Sequence, residues 1–165
     1  MEGYIANIPG QLSMLLEVLV AAALGGLIGI EREVADKPAG FRTLMIVAGA
    51  SALLMNLAQA LGPDLGVSGF TDAESRVVQA IVTGISFLGA GTIIRRSRAE
   101  RVEGLTTAAT ILAAAGVGIC VAIERLVLAL GFTLLMLLVL IGFRRVDRRL
   151  DHLHRNHSPS NHPPR

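Results

Sequence analysis

The sequence predicts an all-α polytopic membrane protein with five transmembrane helices, the N-terminus outside and the C-terminus in the cytoplasm. Hydrophobic residues make up 52% of the 165 residues and charged residues 17%, whereas a soluble domain carries about 25% charged residues. Five apolar stretches approach the length of about 20 residues that crosses a bilayer, and the basic residues gather on one side of them. The net charge of +2 gives no reason to expect nucleic acid as a partner. The expected surroundings are a lipid bilayer.

The five predicted spans cover residues 12–30, 43–61, 77–94, 105–123 and 126–143. No basic residue precedes the first span and Glu-Arg-Glu follows it, so it does not resemble a cleaved signal peptide. Glu124 and Arg125 alone separate the last two spans, which predicts a tight helical hairpin. One continuous helix there would be about 58 Å long, far more than a bilayer needs.

The distribution of basic residues predicts the orientation. Of the 15 basic residues, 13 lie in segments 31–42, 95–104 and 144–165, which five spans place on the same side. Arg76 and Arg125 are the two on the other side. Because basic residues accumulate in cytoplasmic loops, the C-terminus is expected inside. We therefore expect a transmembrane domain over residues 1–143 and a basic, histidine-rich, disordered cytoplasmic tail over residues 144–165.

Small residues at helical spacing predict close packing of the first, third and fourth helices at the centre of the bundle. Small residues allow membrane helices to approach closely, and ordinary packing explains most such patterns. The fourth helix carries Thr106, Thr110, Ala114 and Gly118 at four-residue steps. The glycines expected to pack are Gly25, Gly29, Gly84, Gly89, Gly91 and Gly104.

Polar residues inside the spans are candidate functional residues, because each costs free energy in hydrocarbon. Glu17 lies in the first span, and Gln79, Thr83 and Ser86 share one face of the third. We expect that face to form a polar seam near the bundle axis with the polar residues of the second span. The seam has two interpretations, hydrogen bonding between helices or a path for an ion or solute. The second-span residues are Asn56 and Gln59.

Further candidate functional residues lie at the cytoplasmic ends of the predicted helices. Two helices begin there, and free N–H groups at helix N-termini attract anions, especially beside arginines. Glu31 and Glu33 can instead hold hydrated magnesium, which prefers one or two carboxylates. The simpler alternative is that these charges anchor the helices at the interface and pair with one another. Besides the two acids, the candidates are Arg32, Arg42, Thr43, Arg95, Thr106 and Thr107.

Three motifs resemble those of the MgtC/SapB family of bacterial inner-membrane proteins. They are GGLIGIERE at 25–33 followed by KPAGFRT at 37–43, QAIVTGISFLGAGTIIR at 79–95, and VEGLTTAAT at 102–110. The resemblance implies a five-helix domain, in a short form that lacks the C-terminal soluble domain of longer members. The motif residues that carry over are Glu31, Arg32, Arg42, Thr43, Gln79, Gly84, Gly89, Gly91, Arg95, Gly104, Thr106 and Thr107.

The resemblance also implies a role. Family members are linked to growth at low magnesium and to virulence, and are proposed as magnesium transporters or as regulators of membrane partners such as the proton-translocating ATP synthase. We expect a homodimeric, non-enzymatic regulator in the bacterial inner membrane that docks a membrane protein partner. The alternative is a transporter or channel for magnesium or another small ion or solute. The sequence contains no Walker loop, zinc-ligand spacing or nucleophile elbow, so it carries no enzyme signature. We expect no cofactor, with magnesium as a possible ligand.

Overall fold

The structure, a computed structural model, describes residues 8–61, 72–94 and 104–155. These residues form five helices and contain no strand, which confirms the all-α prediction. In chain order the helices are α1 (Ile8–Val34), α2 (Phe41–Leu61), α3 (Asp72–Ile94), α4 (Leu105–Ala122) and α5 (Leu126–Arg155).

Four of the helices, α1 to α4, are long and apolar enough to cross a membrane. The apolar part of α5 is shorter and covers Leu126–Gly142. The backbone of α5 then remains helical to Arg155, whereas the sequence predicted disorder from residue 144. No glycine or proline interrupts residues 143–155, and Val146 and Leu150 continue the apolar helical spacing. The rest of the predicted tail, residues 156–165, lies outside the described residues.

The centre of the bundle is formed by α1, α2 and α4. Two glycines of α1 permit close approach to α2, because a Cβ atom on Gly25 would lie 2.5 Å from the Leu44 carbonyl oxygen. A Cβ atom on Gly29 would lie 2.6 Å from the Cα atom of Phe41. Gly118 of α4 lies directly against the backbone carbonyl of Ala48 in α2, whose Cβ atom faces Gly25 of α1. These contacts bring the three backbones too close for larger side chains.

The prediction that α3 belongs to this centre is wrong. In the most apolar stretch of α4, 56% of the residues are buried, whereas in that of α3 only 17% are buried. The buried residues of α3 are Ile81, Ile85 and Gly89, and Val77 and Val78 are partly buried against the same core. No atom of another described residue lies within 4 Å of the Cβ positions of Gly84 and Gly91. Small residues allow close packing but do not select the helices that pack, so α2 takes the place predicted for α3.

The predicted tight hairpin between α4 and α5 is confirmed. The amide of Arg125 donates to the carbonyl of Cys120 at 2.9 Å, and the amide of Glu124 donates to the carbonyl of Val121 at 3.0 Å. This pair of bonds is a Schellman motif, in which the residue after the helix is left-handed. Glu124 occupies that position with φ of 60°. The turn therefore reverses the chain within three residues.

Candidate functional site

Four polar side chains meet where α1 ends, α4 begins and α5 passes, and we call them the Arg32 cluster: Glu31, Arg32, Thr107 and Arg144. Arg32 is only 4% exposed, although it lies in the last turn of α1. Its Nη2 donates to the hydroxyl of Thr107 at 2.8 Å. The bond connects the end of α1 to the first turn of α4. The sequence placed both residues at this edge without predicting that they meet.

Glu31 faces α5 rather than α4. Its Oε1 lies 4.0 Å from Nη1 of Arg144, and Nη2 of Arg144 donates to the carbonyl of Val34 at 3.1 Å. Arg144 therefore joins α5 to the end of α1. Glu31 is 9% exposed, and its second oxygen, Oε2, is buried without a hydrogen-bond partner among the described residues.

The Arg32 cluster holds two arginines and one carboxylate, a formal charge of +1. Arg32 donates to the neutral hydroxyl of Thr107, and Glu31, which directly precedes it, is a negative charge close enough to act on its guanidinium. Nε of Arg32 is buried without a hydrogen-bond partner among the described residues, and none of their carboxylates lies within ion-pair distance of it. Glu31 therefore offsets part of the cost of burying this charge.

Glu33 contacts a different helix from Glu31. Its Oε2 accepts a hydrogen bond from the backbone amide of Phe41 at 3.0 Å, so it caps the N-terminus of α2. The two carboxylates predicted as weak magnesium ligands therefore face different partners. In the described ranges, no group of three or more His, Cys, Asp or Glu side chains is placed to hold a metal ion.

At the start of α4, Gly104 has a left-handed conformation with φ of 99°, and no side chain of the described residues caps the helix. A Cβ atom there would lie 3.0 Å from the carbonyl oxygen of Thr92, so α3 comes close to this turn. The hydroxyl of Thr107 accepts from Arg32, while the neighbouring Thr106 is exposed.

The predicted polar seam is not assembled. Asn56 and Gln59 do point between helices of the centre, where their amide nitrogens approach the carbonyls of Met14 (3.4 Å) and Ala122 (3.3 Å). The α3 residues are exposed on the opposite, outer side. We call this surface the α3 face, and it consists of Gln79, Thr83, Gly84, Ser86 and Gly91.

On the α3 face, the hydroxyls of Thr83 and Ser86 donate to carbonyls of their own helix, each at 2.7 Å. The side-chain amide of Gln79 makes no hydrogen bond to another residue in the described parts of the chain. The Cβ positions of Gly84 and Gly91 are open. The outer side of α3 therefore carries polar and small side chains together with Phe87, which is 81% exposed, on a helix apolar enough to cross a membrane.

The remaining predicted residues do not join these groups. Glu17 is half-buried on α1, and it forms no ion pair or hydrogen bond through its side chain with other described residues. Arg42 and Thr43 are exposed in the first turn of α2. Arg95 lies outside the described residues. Sequence reasoning missed the contact of Arg144 with Glu31, since it assigned Arg144 to the tail and to lipid headgroups and no local pattern links residues so far apart.

Comparison with known proteins shows the family of this chain. The model of the MgtC family matches residues 18–149, which include α2 to α4 and most of α1. The chain belongs to the MgtC family. This confirms the resemblance noted in the motifs, and the Arg32 cluster and the α3 face both lie within the matched residues.

Three similar members of the MgtC family come from different bacteria. The chain is 38% identical to SrpB of Synechococcus elongatus over 83% of this chain and 78% of SrpB. It is 35% identical to MgtC of Salmonella typhimurium over 84% of this chain and 56% of MgtC. It is 34% identical to YhiD of Escherichia coli, named "putative magnesium transporter", over 82% of this chain and 63% of YhiD. The chain thus spans little more than half of the MgtC protein. No solved structure matches it.

Proposed function

We propose that this protein is a non-enzymatic regulator in the bacterial inner membrane, active in adaptation to low magnesium or virulence-type stress, and that it acts by docking membrane proteins on its α3 face. A homodimer through the same face is part of the proposal. The single observation that carries it is the exposure of polar and small side chains along α3, a helix that can cross a membrane.

The chemistry of the α3 face supports docking over lipid contact. The amide of Gln79 has no partner within the described chain, and an unpaired amide in hydrocarbon costs free energy that a protein partner can offset. The open sides of Gly84 and Gly91 allow another helix to approach closely. The exposed large side chains in the apolar part of α5 are all apolar and suit lipid, whereas α3 exposes polar side chains as well as Val82, Phe87 and Leu88.

The packed centre supports regulation over transport. Gly25, Gly29 and Gly118 hold α1, α2 and α4 in backbone contact. The polar groups in that centre, Asn56 and Gln59, approach backbone carbonyls of neighbouring helices. Such bonds serve helix association in many membrane proteins. The link to magnesium comes from the relatives, since the name of YhiD refers to magnesium transport.

Crosslinking in living cells tests the docking proposal. A photoreactive amino acid placed at Thr83 is expected to give a discrete protein adduct after irradiation, either a second copy or another membrane protein. The matched control is the same amino acid at Ile46, which is 65% exposed on α2 and is expected to contact lipid. Adducts of equal yield at both positions, or none from Thr83, would contradict docking on the α3 face.

Transport of magnesium or another small cation is the second candidate. Two buried oxygens, Oε2 of Glu31 and Oδ1 of Asn56, have no hydrogen-bond partner among the described residues. Carboxylate and amide oxygens are ligands that hard cations prefer. The two side chains lie on different helices, α1 and α2, and Arg144 lies near Glu31. Flux through a reconstituted protein that disappears in Glu31→Gln would favour this candidate over docking.

A further inference from the structure

We propose that the exposed side of α5 beside the α4–α5 turn binds a phospholipid with a primary ammonium headgroup, of the phosphatidylethanolamine class. The phosphate of this lipid binds Arg125, its ammonium group binds Glu124, and one acyl chain lies in the apolar groove that begins at these two residues. The site is separate from the α3 face and does not depend on docking there.

The groove runs along the exposed side of α5. Its volume is about 670 Å³, within the range of about 300 to 1,000 Å³ that small-molecule sites span. Leu128, Gly131 and Leu135 follow one another at helical spacing on this side. The Cβ position of Gly131 meets no atom of another described residue within 4 Å, so the middle of the groove carries no side chain. The remaining lining residues are Glu124, Arg125, Leu126, Val127 and Phe132.

The bundle packs against the opposite side of α5. The helices that contact α5 are α1 and α4. The residues that α5 buries, Ala129, Thr133 and Leu140, are also at helical spacing and lie away from the groove. Val127, by contrast, is 87% exposed. The groove therefore faces outward from the bundle, where the acyl chains of lipids lie.

Glu124 and Arg125 lie at the depth of the lipid headgroups. The apolar part of α5, Leu126–Gly142, is about 25 Å long at 1.5 Å per residue, whereas the hydrocarbon core of a bilayer is about 30 Å thick. At the other end of this stretch, Arg144 binds the end of α1. Because the apolar length does not exceed the hydrocarbon thickness, the two charged residues of the turn cannot lie far out in water.

The fold does not use either charged side chain of the turn. Glu124 and Arg125 are exposed, and their side chains make no hydrogen bond or ion pair with the rest of the described chain. Glu124 also has φ of 60°, a left-handed conformation in which glycine avoids the cost of a Cβ atom. The turn itself therefore gains nothing from a carboxylate at this position.

The two charges complement one class of headgroup. The guanidinium of Arg125 suits a phosphate, which it can bind through two parallel hydrogen bonds. The carboxylate of Glu124 accepts hydrogen bonds from a primary ammonium group, whereas the quaternary ammonium of phosphatidylcholine has no N–H to donate. Phosphatidylglycerol has a phosphate but brings no cation to Glu124. Phosphatidylethanolamine alone among these three lipids satisfies both side chains.

Native mass spectrometry of the purified full chain tests this site. The protein is freed of lipid in maltoside micelles and mixed with equal amounts of phosphatidylethanolamine, phosphatidylcholine and phosphatidylglycerol that have identical acyl chains. The phosphatidylethanolamine adduct is expected to exceed each of the others about tenfold, the effect of one charge-assisted hydrogen bond. Arg125→Gln should lose this adduct, and Glu124→Gln should bind the three lipids equally.

Two further variants separate the groove from general lipid contact. Arg145→Gln removes an exposed arginine beyond the other end of the apolar part of α5 and should keep the phosphatidylethanolamine adduct. Gly131→Leu fills the groove but keeps both charges of the turn, so it should reduce the adduct. The melting temperature of each variant in the same micelles shows that it is folded.

The proposal is overturned if the wild type binds the three lipids equally, or if Arg125→Gln and Arg145→Gln lose the adduct alike, which would reflect a general effect of charge. It is also overturned if Gly131→Leu binds phosphatidylethanolamine as well as the wild type does. A dimer without bound lipid that Gly131→Leu dissociates would contradict it too, and would assign the groove to a second copy of the chain.

Discussion

Nη2 of Arg32 donates a hydrogen bond of 2.8 Å to the hydroxyl of Thr107, and this bond joins two residues that lie 75 positions apart in the chain. Both side chains are buried. The bond fixes the end of α1 against the first turn of α4, and Arg144 binds the other side of the same end through Glu31 and the carbonyl of Val34. One end of the bundle is therefore held by polar contacts among three helices.

Removal of the Thr107 hydroxyl should destabilise the protein. Thr107→Val keeps the shape of the side chain but leaves the buried guanidinium of Arg32 without its partner, which costs about 3 kcal/mol. The measurement is the free energy of unfolding in mixed micelles as the denaturing detergent is increased. The control is Thr106→Val, because Thr106 is exposed and its replacement should change stability by less than about 0.5 kcal/mol. Equal losses in the two variants would contradict a specific Arg32–Thr107 contact.

Glycine substitutions should separate the packed centre from the outer helix. Gly25→Ala would place a methyl group 2.5 Å from the Leu44 carbonyl oxygen and 2.6 Å from the Ala48 Cβ, and overpacking of this kind costs about 1 to 3 kcal/mol. Gly131→Ala meets no atom of another described residue within 4 Å and should stabilise α5 by about 0.5 to 1 kcal/mol, because alanine has the higher helix propensity. The same unfolding measurement checks both. A stable Gly25→Ala variant would show that α1 and α2 are farther apart than described.

The α3 face should tolerate substitution in the folded monomer but not in the docked state. Gly84→Leu meets no other described atom at its Cβ position, so the free energy of unfolding should not fall. The bulk of leucine would prevent close approach of a partner helix, so the crosslink from Thr83 should be lost. The control is Gly131→Leu on α5, which is equally open and should keep the crosslink. An unchanged crosslink in Gly84→Leu would place the docking surface elsewhere.

The turn between α4 and α5 offers a stabilising substitution. Glu124 has φ of 60° at the left-handed position of the Schellman motif, and glycine adopts this conformation without the penalty that a Cβ atom brings. Glu124→Gly should therefore raise stability by about 1 kcal/mol. Arg125→Gly, one residue later, should give no gain, since Arg125 is not among the described residues with positive φ. The melting temperatures of the two variants and the wild type provide the comparison.

The sequence predicts the helices of this fold well, because their signals are local. Helices α2, α3 and α4 end where the predicted spans end, within one residue, and Glu124-Arg125 marks the last turn. The position of α3 could not be predicted in this way. Gly84 and Gly91, seven residues apart, and Gly25 and Gly29, four apart, both lie at helical spacing, yet the first pair is open and the second is packed. Helical spacing predicts a face and does not identify its neighbour.

The candidate site was also predicted only in part: the sequence identified several of its residues but not their contacts. The motif residues Arg32 and Thr107 were recognised from sequence as lying at one edge, and their contact depends on how α1 packs on α4. The role of Arg144 could not be predicted, because a basic residue after a span is fully explained by orientation. Gln79 was expected to line the axis with Asn56, and the rotation of α3 places it on the outside instead. Long-range packing decides each of these outcomes.

Magnesium flux into proteoliposomes that contain the purified protein tests the central claim most directly, since docking and transport predict opposite results. Entry of magnesium is followed with an entrapped indicator dye, and empty vesicles give the baseline. The account predicts entry no faster than in empty vesicles, with a preparation whose unfolding transition shows that it is folded. Faster entry that is lost in Glu31→Gln would contradict it and would assign the buried carboxylate to an ion path.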